Sequence, residues 1–190
     1  MATSDAAAKP ALPSGLVAFV KRACPTCELV APVLAEIAAK TKLTVYTQDD
    51  LAFPAGLSPQ DDTGLERSWH HEIEAVPTLL RVEEGRETGR VLGWHRGEWE
   101  QLTGMRGLGA GLPEWRPGCG SLSVDPDRVD ALRVKFSGSK LHARRVELAA
   151  LEDEMEAAFA KGCTHGLPVV PPTEARVLAM LQGTARAPQE

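Results

Sequence analysis

The chain has 190 residues and a formal net charge of −5, and 25% of its residues are charged. Because acidic and basic residues are interspersed along the chain, no long basic face is available to bind nucleic acid or an anionic membrane. No stretch is apolar and long enough to predict a transmembrane helix, and residues 1–13 lack the apolar core of a signal peptide, which predicts a disordered tail. We therefore expect a cytoplasmic protein with one full domain and an extension, or with two small domains.

Two thiols separated by two residues, Cys24 and Cys27, form the stretch that we expect to carry the chemistry. The preceding residues 16–20 are short, apolar and rich in strand formers, which predicts a buried strand. Apolar residues at helical spacing then predict a helix over residues 25–40. The strand therefore delivers Cys24 to the N-terminus of a helix.

This position predicts different roles for the two thiols. Unpaired N–H groups and the positive end of the helix dipole stabilise a thiolate, so we expect a lowered pKa for Cys24. Lys21 and Arg22 add positive potential. Cys27, one turn into the helix, is expected to be more buried and less ionised. Cys24 is thus the predicted nucleophile and Cys27 the thiol that resolves a mixed disulfide.

Zinc binding is the alternative use of such a cysteine pair. The sequence has no second C-x-x-C pair and no close H-x-x-x-H pair, so we expect neither a metal nor a cofactor. A zinc ion shared by Cys163, His165 and the C-x-x-C pair remains an open alternative.

The following residues predict the rest of an α/β domain. A strand over 43–47 completes a right-handed βαβ unit with two parallel strands. The elements expected after it are a loop over 49–62, a short helix over 63–71 capped by Asp61 or Asp62, a strand ending at Val82, a hairpin turn, a strand over 88–93 and a helix over 94–102.

The dipeptide Val76-Pro77 lies where the third long strand begins, a position that favours a cis peptide bond. A cis bond there turns the Val76 backbone outward. We expect its N–H and C=O groups to pair with an extended substrate.

The residues quoted so far resemble the thioredoxin family over about residues 14–104. The similarity is carried by CELVAPVLAEIA, which has a proline five residues after the second cysteine, and by AVPTLLRVEEGRETGRVLGW. The resemblance implies an α/β, thioredoxin-like fold with a four-stranded mixed sheet flanked by helices, Cys24 as nucleophile and Cys27 as resolving thiol. It also implies that the substrate is bound by Pro25, Thr26, Val76 and Pro77.

Three departures from the family pattern concern the same site. Ala18 stands where many members have a buried carboxylate that helps to deprotonate the second cysteine, so we expect slower attack by Cys27 near neutral pH. Ala23 replaces a tryptophan, which removes a docking surface. Pro25-Thr26 replaces Gly-Pro, and because the identity of this dipeptide tunes the redox potential, the potential cannot be transferred from the family.

The residues after 104 are predicted to form a Gly/Pro-rich linker over 105–124 and a helical C-terminal extension over 125–190. Asp125-Pro126 predicts a helix through Phe136, and Thr173 caps a helix over 174–181. Residues 139–161 give the longest helical pattern. It predicts either a coiled coil for a dimer or partner enzyme, or a helix packed within the chain.

Cys119 and Cys163 lie beside glycines in predicted loops. Each is either an ordinary free thiol or a thiol that reaches Cys24 as an internal relay or a regulatory disulfide.

The sequence thus predicts a thiol–disulfide oxidoreductase acting on a disulfide-containing protein or a small thiol substrate, with an electron donor such as a reductase. The alternative is a non-catalytic interaction module or adaptor for a partner enzyme.

Overall fold

The computed structural model describes residues 9–137, 141, 146–149, 152–181, 183 and 184. The chain divides into two compact units, one formed by Ala8–Leu132 and the other by Met1–Ala7 and Arg133–Glu190. In chain order the described elements are β1 Gly15–Val20, α1 Pro25–Ala38, β2 Leu43–Thr47, β3 Gln60–Asp61, α2 Glu66–His70, β4 Ala75–Val76, β5 Thr78–Glu83, β6 Arg86–Leu92, β7 Trp94–His95, α3 Arg96–Thr103, β8 Trp115–Arg116, β9 Cys119–Gly120, a 3₁₀ turn Leu122–Val124, α4 Pro126–Phe136, α5 Glu154–Ala160 and α6 Glu174–Leu181.

The main sheet has the strand order β3-β2-β1-β5-β6. β1 is parallel to β2 and antiparallel to β5, with Ala18 opposite Val45 on one side and Leu79 on the other. The predicted mixed sheet flanked by helices is confirmed, although it has five strands where four were expected. The additional strand β3 pairs only Gln60 and Asp61 with β2, and two polar residues give no strand pattern in the sequence.

The core of the Ala8–Leu132 unit lies between β1 and α1. Residues 16–20 of β1 are buried, as expected for a central strand covered on both faces. The buried face of α1 is formed by Val30, Val33, Leu34 and Ile37 at helical spacing. Pro32 lies inside α1, as the sequence predicted.

The segment expected to be a disordered tail is ordered over the part that the structure describes. Residues 1–8 lie outside the described residues, but Leu12 is buried in the core and the Pro10 carbonyl lies 2.8 Å from His71 Nε2. Because Leu12 packs in the core, it attaches the residues around it to the domain. The composition of residues 1–13 did not predict this contact.

Residues 105–124 were predicted as a linker, whereas in the structure they pack within the Ala8–Leu132 unit. Leu108 is buried in the core, and the Trp94 indole N–H donates to the Pro113 carbonyl at 2.6 Å. β8 pairs with β7, and β9 pairs with β4. The linker prediction followed glycine and proline content, which marks turns in a packed segment equally well. The domain boundaries themselves remain a prediction.

In the second unit the predicted helix over 139–161 is present among the described residues only as α5, Glu154–Ala160. Residues 146–149, 152 and 153 are not helical, and the rest of 138–151 apart from residue 141 lies outside the described residues. Asp153 accepts from the N–H groups of Met155 and Glu156, so α5 begins only at Glu154. The Asp153 cap therefore sets the start of this helix, although the sequence pattern predicts a helix from residue 139.

The other two C-terminal helices agree with their sequence patterns. α4 begins with Pro126 after Asp125, and α6 begins after Thr173, whose hydroxyl accepts from the Arg176 N–H. Arg176 also contacts Glu154 at 3.0 Å, which joins α6 to α5. No helix among the described residues is long and apolar enough to cross a membrane.

Candidate functional site

Cys24 is the residue that caps α1. Three residues separate it from the end of β1, its backbone is extended, and Pro25 occupies the first turn of the helix. The Cys27 N–H donates to Cys24 Sγ at 3.3 Å. Asp49 holds the preceding turn, because its carboxylate accepts from the N–H groups of Arg22 and Ala23 at 2.7 and 3.0 Å. The strand, turn and helix N-terminus predicted for this motif are thus present, and they aim the Cys24 sulfur at the helix N–H groups.

A third thiol lies against Cys24. Cys119 Sγ is 2.7 Å from Cys24 Sγ, and the Val76 carbonyl oxygen is 3.4 Å from the same sulfur. Cys24 is 1% exposed and Cys27 0% exposed, so both thiols are buried, although only Cys27 was expected to be. The difference arises because β9 brings Cys119 against Cys24.

Hydrogen bonding separates the acidities of the three thiols. The Cys27 side chain lowers the pKa of Cys24 to about 5, with help from the Cys119 thiol and two backbone N–H groups, and burial opposes this shift. Burial, and then the bond to Cys24, raises the pKa of Cys27 and also that of Cys119. The site therefore holds one thiolate and two neighbouring thiols near neutral pH.

The surroundings of Cys27 agree with the expectation drawn from Ala18. Ala18 is fully buried in β1 and brings no carboxylate. The Lys21 backbone N–H lowers the pKa of Cys27, but the upward shift caused by burial is larger. Cys27 thus carries its proton firmly and must lose it before it attacks.

The four predicted substrate-binding residues surround the Cys24 sulfur and the β9 segment. Pro25 is exposed, and Thr26 is buried with its hydroxyl donating to the Pro117 carbonyl at 2.7 Å. The Val76–Pro77 bond is cis, as the sequence predicted. The Val76 backbone was expected to face an outside substrate, but it pairs with Cys119 of the same chain.

Residues 120–122, which follow Cys119, are held in place by contacts that the sequence did not predict. Lys21 Nζ donates to the Gly120 carbonyl at 2.6 Å, and the Ser121 N–H donates to Glu74 O at 2.9 Å. Gln48 is 1% exposed, and its amide nitrogen donates to the Ser121 hydroxyl at 2.7 Å while its oxygen accepts from the Leu122 N–H at 3.0 Å. No local pattern links these residues, because they are distant in the sequence.

Two histidines of the Ala8–Leu132 unit have other contacts, and the remaining candidate zinc ligands belong to the second unit. His71 contacts the Pro10 carbonyl, and His95 caps α3 by accepting from the Glu98 N–H. Cys163 and His165 belong to the second unit, where Cys163 is exposed. Among the described residues there is no group of three or more His, Cys, Asp or Glu side chains that could hold a metal ion.

Comparison with known proteins points to the same chemistry. The chain is 29% identical over 86 residues to thioredoxin H-type 1 of Nicotiana tabacum, a match that covers 45% of this chain and 60% of that relative. No family model matches the chain. The sheet and helices described above have a thioredoxin-like fold, and the distant similarity indicates thiol–disulfide redox chemistry at the level of that family.

Proposed function

We propose that the protein is a thiol–disulfide oxidoreductase in which Cys24 is the nucleophile and Cys27 the resolving thiol. The observation that carries the proposal is the position of Cys24 Sγ at the N-terminus of α1, where it accepts from the Cys27 N–H at 3.3 Å, with the buried Cys27 thiol one turn further on. The hydrogen bond with the Cys27 side chain lowers the pKa of Cys24 to about 5, and burial raises that of Cys27. An ionised sulfur is the attacking species in disulfide exchange, and a protonated neighbour remains available to complete it.

The reaction takes place in two exchanges. Cys24 thiolate attacks one sulfur of a substrate disulfide, a mixed disulfide forms, and the second substrate sulfur leaves as a thiolate that takes up a proton. Cys27 then loses its proton and attacks Cys24 Sγ. The first substrate sulfur leaves and is protonated, so the substrate gains two electrons and two protons while Cys24 and Cys27 form a disulfide.

The partners follow from this chemistry. The substrate is a disulfide-containing protein or a small disulfide, and an electron donor such as a reductase returns the Cys24–Cys27 pair to the dithiol. Pro25, Thr26, Val76 and Pro77 line the substrate position. A cytoplasmic location, where thiols are kept reduced, suits this direction of electron flow.

Insulin reduction tests the proposal. Wild-type protein with dithiothreitol as donor is expected to accelerate precipitation of the insulin B chain, and Cys24→Ser is expected to reduce the rate to that of dithiothreitol alone. Cys163→Ser is the matched control, because it removes an exposed thiol of the other unit and should leave the rate unchanged. Equal rates for wild type and Cys24→Ser would overturn the proposal.

A second candidate function is a non-catalytic interaction module or adaptor for a partner enzyme. It is favoured by one observation: Cys24 is 1% exposed, and a strand of the same chain occupies the edge beside it. Insulin reduction separates the two functions, because an interaction module would give the background rate with all of these variants. A dimer or partner contact through residues 139–161 remains a prediction.

A further inference from the structure

β9 occupies the edge at which an extended substrate is expected. Val76 is opposite Cys119, and Ala75 is opposite Gly120, in antiparallel register. The Val76 backbone is thus already paired, and the side chain presented at Cys24 is itself a cysteine. A cysteine in an extended strand, held beside a nucleophilic sulfur, is the arrangement that a substrate disulfide would adopt.

This strand is held by side chains on both sides of the site. Thr26 binds the Pro117 carbonyl, Lys21 binds the Gly120 carbonyl, and Gln48 binds the Ser121 hydroxyl. Further along, the Ser123 hydroxyl donates to the Ile73 carbonyl at 2.7 Å. Buried polar groups bonded in this way fix the segment in one register.

A glycine permits the close approach. A Cβ atom placed on Gly118 would lie 3.0 Å from the Val76 oxygen and 3.3 Å from Ala75 Cβ, whereas a Cβ atom on Gly120 would meet nothing within 4 Å. The two glycines flank Cys119, so they form a matched pair for testing how the strand docks.

The sulfurs of Cys24 and Cys119 are close enough for exchange. Their separation of 2.7 Å must contract by about 0.7 Å to reach a disulfide bond length. Cys119 is half-buried and carries no other role in the proposed reaction.

We propose that Cys119 is an internal disulfide partner of Cys24, presented by a strand that occupies the substrate position. The inference rests on the proposed function, which supplies the oxidised Cys24–Cys27 pair. Cys119 loses its proton and attacks Cys24 Sγ, the Cys24–Cys119 bond forms, and Cys27 leaves as a thiolate that takes up the proton. No outside oxidant is consumed. Formation of this bond fixes the strand covalently at the edge, whereas in the reduced protein hydrogen bonds hold it there.

Disulfide mapping tests the exchange. Folded Cys27→Ser/Cys163→Ser protein is incubated with oxidised glutathione, digested without reduction and examined by mass spectrometry. Cys24 is expected to take one glutathione and Cys119 to displace it, so that most molecules contain a Cys24–Cys119 linkage. In the control that also carries Cys119→Ser, the glutathione should remain on Cys24.

Each other outcome has a definite meaning. Glutathione that stays on Cys24 while Cys119 is free overturns the inference and leaves the proposed function intact. An unmodified Cys24 overturns both. A Cys24–Cys119 linkage in a protein whose wild type fails to reduce insulin supports the inference and overturns the proposed function.

Alkylation tests the docked strand separately. In reduced protein, Gly118→Ala is expected to increase the rate at which iodoacetamide labels Cys24 by about tenfold, because the added methyl group overpacks the contact with Val76. Gly120→Ala should label at the parent rate. Equal rates for the two variants, both shown to be folded by circular dichroism, would overturn the assignment of this strand as the cover of Cys24.

Discussion

Ionisation of Cys24 should make the stability of the fold depend on pH. The pKa of Cys24 is lowered from 9.0 to about 5 in the folded protein, whereas the unfolded chain has no hydrogen bonds that would lower it. Between these two values the unfolded chain binds one proton more than the folded chain. The free energy of unfolding therefore rises with pH in this window, and the stabilisation is lost as the pH falls through about 5.

The size of the effect follows from one proton. Each pH unit within the window contributes about 1.4 kcal/mol, so from pH 5 to pH 7 the Cys24 thiolate should add about 2.5 kcal/mol to the free energy of unfolding. Cys27 and Cys119 do not contribute in this range, because their raised pKa values keep them protonated in the folded protein as they are in the unfolded chain.

Urea unfolding of reduced wild-type protein and Cys24→Ser at both pH values measures this contribution. The substitution has a constant packing cost, which cancels when the difference between the two proteins is compared across pH. The wild type should gain about 2.5 kcal/mol relative to Cys24→Ser between pH 5 and pH 7. A difference that stays constant across this range would refute the assignment of a thiolate to Cys24.

Three further predictions concern other parts of the site and fold. Asp62→Ala should destabilise the protein by about 2 kcal/mol in thermal or urea unfolding, since it leaves two backbone N–H groups of α2 and the Ser68 hydroxyl without their acceptor; a cost near zero would contradict the capping role. Gly93→Ala should cost about 2 kcal/mol more than Gly85→Ala, because both have positive φ but only Gly93 has backbone atoms within 2.8 Å of the added Cβ. In single-turnover experiments, the rate at which Cys27 resolves a mixed disulfide on Cys24 should increase steadily as the pH rises above 7, because burial raises the pKa of Cys27. A rate that does not depend on pH would show that deprotonation of Cys27 is not limiting.

Local patterns in the sequence predicted much of the fold. β1 follows from an apolar run, α1 from apolar residues at helical spacing after Pro25, and β2 from a run of strand-forming residues, all of which are local features. The bounds of β2 and of α6 agree with the sequence prediction, because a strand former run and a threonine cap are local features. The C-x-x-C motif and the Val-Pro dipeptide belong to the same class of short patterns.

The features that the sequence did not predict depend on contacts between residues that are distant in the sequence. The docking of β9 requires Gln48, Lys21 and the Val76 backbone to meet a segment that lies between 43 and 99 residues further along the chain, and no pattern within that segment marks it. Its glycines and proline predict a linker, whereas in the structure Gly118 allows close packing. The site therefore has a third thiol that the sequence could suggest only as one of two candidates.

The assignment of Cys24 as the reactive thiolate is best tested by the order in which the four cysteines react with a small disulfide at mildly acidic pH. Reduced wild-type protein is treated with oxidised glutathione at about pH 6, quenched with acid and mapped by mass spectrometry. Cys24 should take part in the first disulfide formed, because its lowered pKa makes it a thiolate at this pH although its side chain is buried. Modification of the exposed Cys163 before Cys24 would contradict it.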